Sequence, residues 1–361
     1  MKKIPFFIGL LLPLALVAGL QWSIDPLLVF SREEGGDWWW KQPRLSMPYV
    51  MRRVKPASMS MGSSRAGSIP ITHRGWNGQR VMKLVLPGAT YSEERQFLEH
   101  AQAIHPLRVV TLETSYENIY NKIPGQFDPD RLLRVTGQNN RLRFGLRVIQ
   151  DYMTVLFSAD SIEEGIMEFF EVAWTPRLQY YERLDALRKV YGTTGEGNKN
   201  NQEDPMKELK DMLTFASDHK IQMYIFISPL RAPYEESEYR RIGFEKTEQW
   251  KRDLMRLLTE EKRRSGYTHP LWDFSGYNTV TLEEVPPSGV FYDMRWFSDA
   301  AHFKEVTGAM ILDRLFDTCA EPCEIPEDFG VQLTPENIEE HLAKVRADRV
   351  EYLQTHKAPA Y

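Results

Sequence analysis

The chain has 361 residues, 42% of them hydrophobic and 12% aromatic, which suffices for one large buried core with an insertion or appendages. Forty-five Lys and Arg against 50 Asp and Glu give a formal charge of −5 at pH 7. No stretch has the dense basic patch that phosphate-backbone binding needs, so nucleic acid is disfavoured as a partner.

Lys2 and Lys3 precede an apolar run over residues 4–20, interrupted by Pro5, Pro13 and glycines. A short basic flank before an apolar segment begins both signal peptides and uncleaved signal anchors. The run sits at the lower edge of what spans a bilayer, roughly 17–25 residues. Val17-Ala18-Gly19 is not an A-x-A cleavage site, so the expectation is an uncleaved anchor over residues 1–22, with a cleaved signal as the alternative. The basic end would stay in the cytoplasm and send everything after Trp22 outward. Residues 23–56 form an aromatic-rich connecting segment, whose Trp38-Trp39-Trp40 suits either a membrane interface or packing on the main domain.

The pattern then turns α/β. Residues 57–61 read as a short strand leading into the turn Gly62-Ser63-Ser64-Arg65, and 81–86 as a second strand closed by Pro87-Gly88. Helical spacing over 93–103 precedes a strand at 107–112. Residues 128–204 read as a helical insertion without clear strands, ending in a Gly/Asn-rich linker at 192–201. The alternation resumes with a helix at 206–219 and the strongest strand, IQMYIFIS, at 221–228. One long charged helix over 236–264, a strand at 271–274, a last core helix at 303–316 and an outer helix at 335–355 complete the reading. Continuous apolar strands separated by amphipathic helices predict an α/β domain over 57–318, a three-layer sandwich around a mainly parallel sheet, followed by a C-terminal extension over 319–361.

Two cysteines, Cys319 and Cys323, are too few for a zinc site; they are either a local disulfide around Pro322 or two free thiols. No spacing calls for a metal or an organic cofactor.

Chemistry concentrates at two places. In Gly62-Ser63-Ser64-Arg65 a serine stands at a tight strand-to-helix turn, where its Oγ can be exposed while backbone N–H groups face a developing oxyanion. Asp299-Ala300-Ala301-His302 is the one D-x-x-H of the chain, placed by the pattern at the start of the last core helix. That spacing lets the carboxylate orient the imidazole, which then serves as general base. Taken alone each motif reads as readily as a helix cap; bracketing one parallel sheet, they form a triad of Ser64, His302 and Asp299. Asp293 is a second acid in a worse position.

Met61-Gly62-Ser63-Ser64-Arg65-Ala66, Leu84-Val85-Leu86-Pro87-Gly88-Ala89-Thr90 and Phe297-Ser298-Asp299-Ala300-Ala301-His302-Phe303 together resemble the first, second and last blocks of the SGNH (GDSL-type) hydrolases. The apolar N-terminus followed by Asp25-Pro26, together with Ser228-Pro229 and Phe329-Gly330, is similar to the membrane-anchored envelope branch of that superfamily, the DltD and alginate-acetylation type. The resemblance covers residues 57–316 without the insertion. It implies Ser64 as nucleophile, His302 as base, Asp299 as its acid, and the N–H groups of Gly88 and Ser64 as oxyanion donors. It implies no cofactor, and acyl groups of an envelope or exported polysaccharide as substrate. The reaction would be hydrolysis or transfer by a domain facing the periplasm, in some relatives beside a membrane-bound O-acyltransferase; a non-catalytic glycan-binding or scaffold module is the alternative.

The sequence departs from that pattern in two places. Ser63 replaces the first-block aspartate, and the third block, G-x-N-D, has no match where the strand runs into Glu113-Thr114-Ser115-Tyr116. Asn118 stands at the wrong spacing to replace the missing amide. Glu113 lies at the carboxyl end of a strand, where α/β ligands bind, and is either a site residue or a helix cap. Arg65 would contact an anionic substrate or pair with a local carboxylate.

Overall fold

The computed structural model describes residues 4–25, 30, 43–119, 128–135, 138–157, 204–284 and 294–356. Trp38-Trp39-Trp40, the 192–201 linker and Asp293 lie outside them. In chain order the elements are α1 (Ile4–Ile24), α2 (Pro43–Val54), β1 (Ser58–Gly62), β2 (Val81–Val85), α3 (Tyr91–Ile104), β3 (Val109–Thr114), β4 (Arg134–Val135), β5 (Gln138–Asn139) and α4 (Arg141–Phe157). There follow α5 (Pro205–Asp218), β6 (Gln222–Ile227), α6 (Ala232–Ile242), α7 (Phe244–Ser265), β7 (Leu271–Asp273), α8 (Glu305–Phe316), β8 (Val331–Leu333) and α9 (Ile338–Thr355).

The chain divides into two compact units, Met1–Arg53 with Gly125–Glu203, and Val54–Pro124 with Asp204–Tyr361. In the first unit α1 runs beside α4, and Arg131 Nε holds Asp151 Oδ2 at 2.7 Å, a carboxylate that also accepts from Tyr49. Leu142, Leu146, Ile149 and Met153 recur at helical spacing on α4 and are exposed. Among the described residues no helix is long and apolar enough to cross a membrane. The insertion also holds a two-residue antiparallel ladder, β4 with β5, which its composition does not announce.

The second unit is an α/β domain around a six-stranded sheet in the order β2-β1-β3-β6-β7-β8. Every pairing is parallel except that of β8 with β7. All five residues of β1 are buried, as befits a strand with neighbours on both sides and helices above and below. Period-two alternation on β6 turns Tyr224 and Phe226 toward one face, where they join a core with Ile311, Leu312 and Leu315 of α8. On the helical layers α3 packs on α5, and α5 on α7. The chain leaves β1 toward β2 on one side and later returns to β3 on the other. The winding therefore reverses at the carboxyl ends of β1 and β3, where α/β sheets open a crevice.

Four local expectations are corrected. β3 starts two residues later than the apolar run, because the Leu107 N–H is taken by Gln102 Oε1 at 2.7 Å and the ladder with β6 runs to Thr114. The long charged helix is two helices, parted at Gly243, whose φ of 97° a side chain would resist. The Asp299–His302 stretch is not a helix start: Phe297 bridges Phe303 across a tight loop, and α8 begins only at Glu305. Finally, β8 adds an edge strand that the sequence did not signal. Cys319 and Cys323 form a disulfide.

His269 contributes a measurable pH dependence. Its Nδ1 accepts from the Met223 N–H at 3.3 Å, which leaves Nε2 to carry the proton and donate to Ser217 Oγ at 2.9 Å. Burial lowers its pKa to about 4, against partial opposition from the charge of Glu261. A histidine pushed down in the folded state favours folding above its unfolded pKa of about 6.5, and that stability drains away as pH falls through the folded value. The unfolded chain binds the extra proton throughout that window. Denaturant unfolding is expected to show a loss on the order of 3 kcal/mol between pH 6.5 and 4, and a His269→Gln protein is expected to lack that slope.

Candidate active site

The turn after β1 is shaped by Gly62 and Ser63. A Cβ on Gly62 would stand 2.6 Å from Glu113 Cβ and 2.8 Å from Glu113 Oε2, so only glycine lets β3 approach this closely. Glu113 is fully buried, and its Oε2 accepts from the Ser63 N–H at 2.9 Å and from Ser63 Oγ at 2.7 Å. Ser63 Oγ in turn accepts the Arg65 N–H at 3.4 Å and caps a 3-10 helix over Ser64–Ser68. Ser64 is the first residue of that helix, a position whose N–H has no intrahelical acceptor and is available to a ligand oxygen. Glu113 thus holds the turn that carries Ser64 through its contacts with Ser63.

Ser64 Oγ lies 2.8 Å from His302 Nε2. His302 Nδ1 lies 2.8 Å from Asp299 Oδ2 and 3.0 Å from Oδ1. Asp299 Oδ1 also accepts the N–H groups of Ala301 and His302, each at 2.8 Å, so the tight loop itself fixes the carboxylate. Burial pushes the Asp299 pKa up, but the contact with His302, its charge and the two N–H groups outweigh that and hold it below the ordinary aspartate value. An ionised Asp299 on Nδ1 makes Nδ1–H the tautomer, which leaves Nε2 as an acceptor for the Ser64 hydroxyl proton. The structure brings all three expected triad residues together with the connectivity that nucleophilic catalysis requires.

The other expected residues are placed differently. Arg65 is buried; its Nη2 donates to Glu117 Oε2 at 2.8 Å, and its Nη1 stands 3.9 Å from Glu113 Oε1. The local carboxylates thus claim Arg65, while its Nε and Nη1 have no hydrogen-bond partner among the described residues. Gly88 adopts φ 65° in the turn after β2, with open space where a Cβ would be. The bond from the Leu86 N–H to the Gly62 carbonyl, 2.9 Å, ties this turn to the end of β1. Asn118 Oδ1 accepts the Ser115 N–H at 2.8 Å, and its Nδ2 donates to the Ala89 carbonyl at 3.2 Å, so its amide braces the same turn.

Glu94, on the first turn of α3, is completely buried, and neither carboxyl oxygen has a hydrogen-bond partner among the described residues. Burial, then the charges of Glu113 and Glu93, push its pKa well above the usual carboxylate range. Sequence reasoning missed Glu94, Glu117 and the capping role of Ser63. A carboxylate beneath a turn is visible only once β1 and β3 are paired, and no spacing signal links residues 63 and 113.

A cleft of about 410 Å³, open mouth included, adjoins this region and is lined by residues 115–117 after β3, residues 227–230 at the end of β6, and parts of α6 and α7.

No family model matches this chain, and no curated protein matches it. Four solved chains match it. Among them is one described as "The structure of a putative platelet activating factor from Streptococcus pneumonia", which is 11% identical with a TM-score of 0.33, the match covering 78% of this chain and 93% of that one.

Proposed function

We propose that this chain is an SGNH-like serine esterase or O-acyltransferase acting on acyl groups of an envelope or exported polysaccharide through an acyl-enzyme on Ser64. The observation that carries the reading is the unbroken relay from Ser64 Oγ through both ring nitrogens of His302 to Asp299. In the first half-reaction Ser64 Oγ bonds to the ester carbonyl carbon and its proton passes to His302 Nε2. The tetrahedral intermediate then collapses, the C–O bond to the sugar breaks, and the leaving alkoxide takes the proton from Nε2. In the second, water or another sugar hydroxyl gives its proton to Nε2 and bonds to the acyl carbon; the C–Oγ bond then breaks and Ser64 Oγ takes the proton back from Nε2. Asp299 keeps the ring in the required tautomer and offsets the imidazolium charge. The Ser64 N–H, with that of Gly88, would receive the oxyanion.

The flavodoxin-like three-layer architecture, an anchor in residues 1–22 and a domain facing the periplasm belong to the same proposal. They are supported by the strand order and by the basic-apolar start of the chain.

A second reading, an inactive glycan-binding or scaffold module beside a membrane-bound O-acyltransferase, is favoured by the oxyanion side. The Arg65 N–H is already turned to Ser63 Oγ, and the Asn118 amide to the Ala89 carbonyl. Losing one oxyanion donor costs about 10²–10³ in rate.

Labelling with a fluorescent fluorophosphonate separates the two. The wild-type protein is expected to be labelled stoichiometrically and Ser64→Ala not at all; equal labelling of both would remove Ser64 as nucleophile.

A further inference from the structure

Among the described residues fourteen large apolar side chains are exposed, and ten of them lie on α1 and α4, so the uncovered apolar surface gathers in one of the two compact units. On α4 these are Leu142, Leu146, Ile149, Met153 and Phe157, which are 43–78% exposed. At 100° per residue they fall within an arc of about 80° and run about 22 Å along the helix. Phe144, Asp151 and Val155 point the opposite way and are buried. All three meet Tyr49: Phe144 through a ring contact at 6.4 Å, Asp151 as acceptor for its hydroxyl, and Val155 in a common apolar cluster. The stripe is thus a second apolar face, which the packing of the unit does not use.

Its neighbour on the fold and its flanking charges say what covers it. α1 runs beside α4 in the same unit, and its Leu12, Leu14, Leu16, Leu20 and Trp22 are exposed on several sides of the helix rather than along one stripe. A protein groove takes up one stripe of a helix, whereas a fluid apolar medium takes up every side at once. Arg141 and Arg143 flank the α4 stripe on its two sides and are exposed. Arg143 has only the exposed Asp130 at 3.7 Å, a pair too open to hold the guanidinium against a stronger anion. Arginine stems lie along apolar surface while their heads reach outward, which suits phosphate groups above an acyl layer. Helices with such a face lie in the interface plane, the apolar side sunk about 5–10 Å into the boundary between headgroups and acyl chains.

We propose that α4 docks on a bilayer containing anionic lipid, its stripe from Leu142 to Phe157 sunk into the interface and Arg141 and Arg143 on the lipid phosphates. This rests on the tethered part of the proposed function and adds a second lipid contact in the same unit. A tether at one point leaves that unit free to turn, and a helix lying along the surface removes the freedom.

The test uses the full-length protein with a single NBD label on an introduced thiol, which is specific because Cys319 and Cys323 are already paired. Leu146→Cys, Ile149→Cys and Met153→Cys place the label on the stripe, and Lys344→Cys places it on an exposed position of α9 as the aqueous control. Each protein is mixed in detergent with POPE and POPG, the detergent is removed, and the floated vesicles are collected. At the three stripe positions the emission is expected to shift to the blue, gain intensity several-fold and be quenched by lipids carrying a nitroxide near the headgroup; at Lys344 it should do none of these. The shift should shrink in vesicles of POPC alone, and an equal shift there would overturn the choice of an anionic surface. Stripe labels that stay aqueous would overturn the proposal. So would labels that turn blue but resist the lipid quencher, since their neighbour would then be protein, a second copy included. Alkaline extraction of the membranes scores the tether separately. Protein that resists alkali while its stripe labels stay aqueous keeps the tether and overturns the docking of α4; protein released by alkali whose labels still meet lipid does the reverse.

Discussion

A His302→Ala protein is expected to hydrolyse p-nitrophenyl acetate about 10⁴-fold more slowly than the wild type, with an unchanged melting curve. The size follows from the position of the ring, which meets Ser64 Oγ on one side, at 2.8 Å, and an ionised carboxylate on the other. His302 and Asp299 are both partly exposed at the mouth of the site, so truncating the imidazole leaves little to repack and the fold should survive. Asp299→Asn is expected to lose about 10³–10⁴-fold, because an amide can present its N–H to Nδ1 and so favour the wrong tautomer. A His302→Ala rate within tenfold of wild type would mean that the observed hydrolysis does not pass through this relay. Steady-state rates over pH 5–9, with the Ser64→Ala protein as the background, would decide it.

The second large effect is expected at a glycine outside the relay itself. Gly308 on α8 meets the 3-10 helix that begins at Ser64 so closely that a Cβ would lie 2.1 Å from the Ser68 carbonyl oxygen and 2.9 Å from its carbonyl carbon. These are backbone atoms that cannot rotate away, so α8 must shift outward. The loop carrying Asp299 and His302 runs directly into that helix. Gly308→Val is therefore expected to destabilise the protein by about 1–3 kcal/mol through overpacking and to cut the hydrolysis rate by about 10²-fold or more, since a displacement near 1 Å suffices for that. Gly145→Ala is the matched control: on α4 a Cβ meets nothing within 4 Å, and helix propensity predicts a small gain in stability. Denaturant titration and initial rates on the two proteins would test this, and a Gly308→Val protein as active as wild type would show that the contact does not set the triad spacing.

The parts of the fold that were legible in the sequence are those with strong local periodicity. IQMYIFIS is a central strand, fully buried on one face and partly on the other, and the helical spacing read over 93–103 is α3, which the Thr90–Glu93 cap starts two residues earlier. β1 was legible only through the turn that follows, since Ser-Met-Ser-Met-Gly has little strand propensity of its own; its two parallel neighbours impose the conformation. The break at Gly243 was hidden by continuous charge patterning on either side, which resembles a single solvated helix face. At the candidate site, the Ser64–His302–Asp299 arrangement was legible because each half carries a local motif, Ser64 in its glycine turn and Asp299 three residues before His302. Glu113 and Arg65 were visible as residues but not as a system. The carboxylate under the turn and the Arg65–Glu117 pair depend on strand pairing and on a 3-10 turn after β3, and neither leaves a periodic trace.

The hydroxyl and the ring nitrogen of the relay are 238 positions apart in the chain. Neither is placed until the sheet has been laid down through β7 and α8 has settled against the Ser64–Ser68 turn, so no partial product of synthesis can hold the relay together. The contact between Ser64 and His302 is completed only by the last docking event. Recovery of fluorophosphonate labelling after dilution from denaturant would therefore time the completion of folding, and would lag behind the return of helical signal.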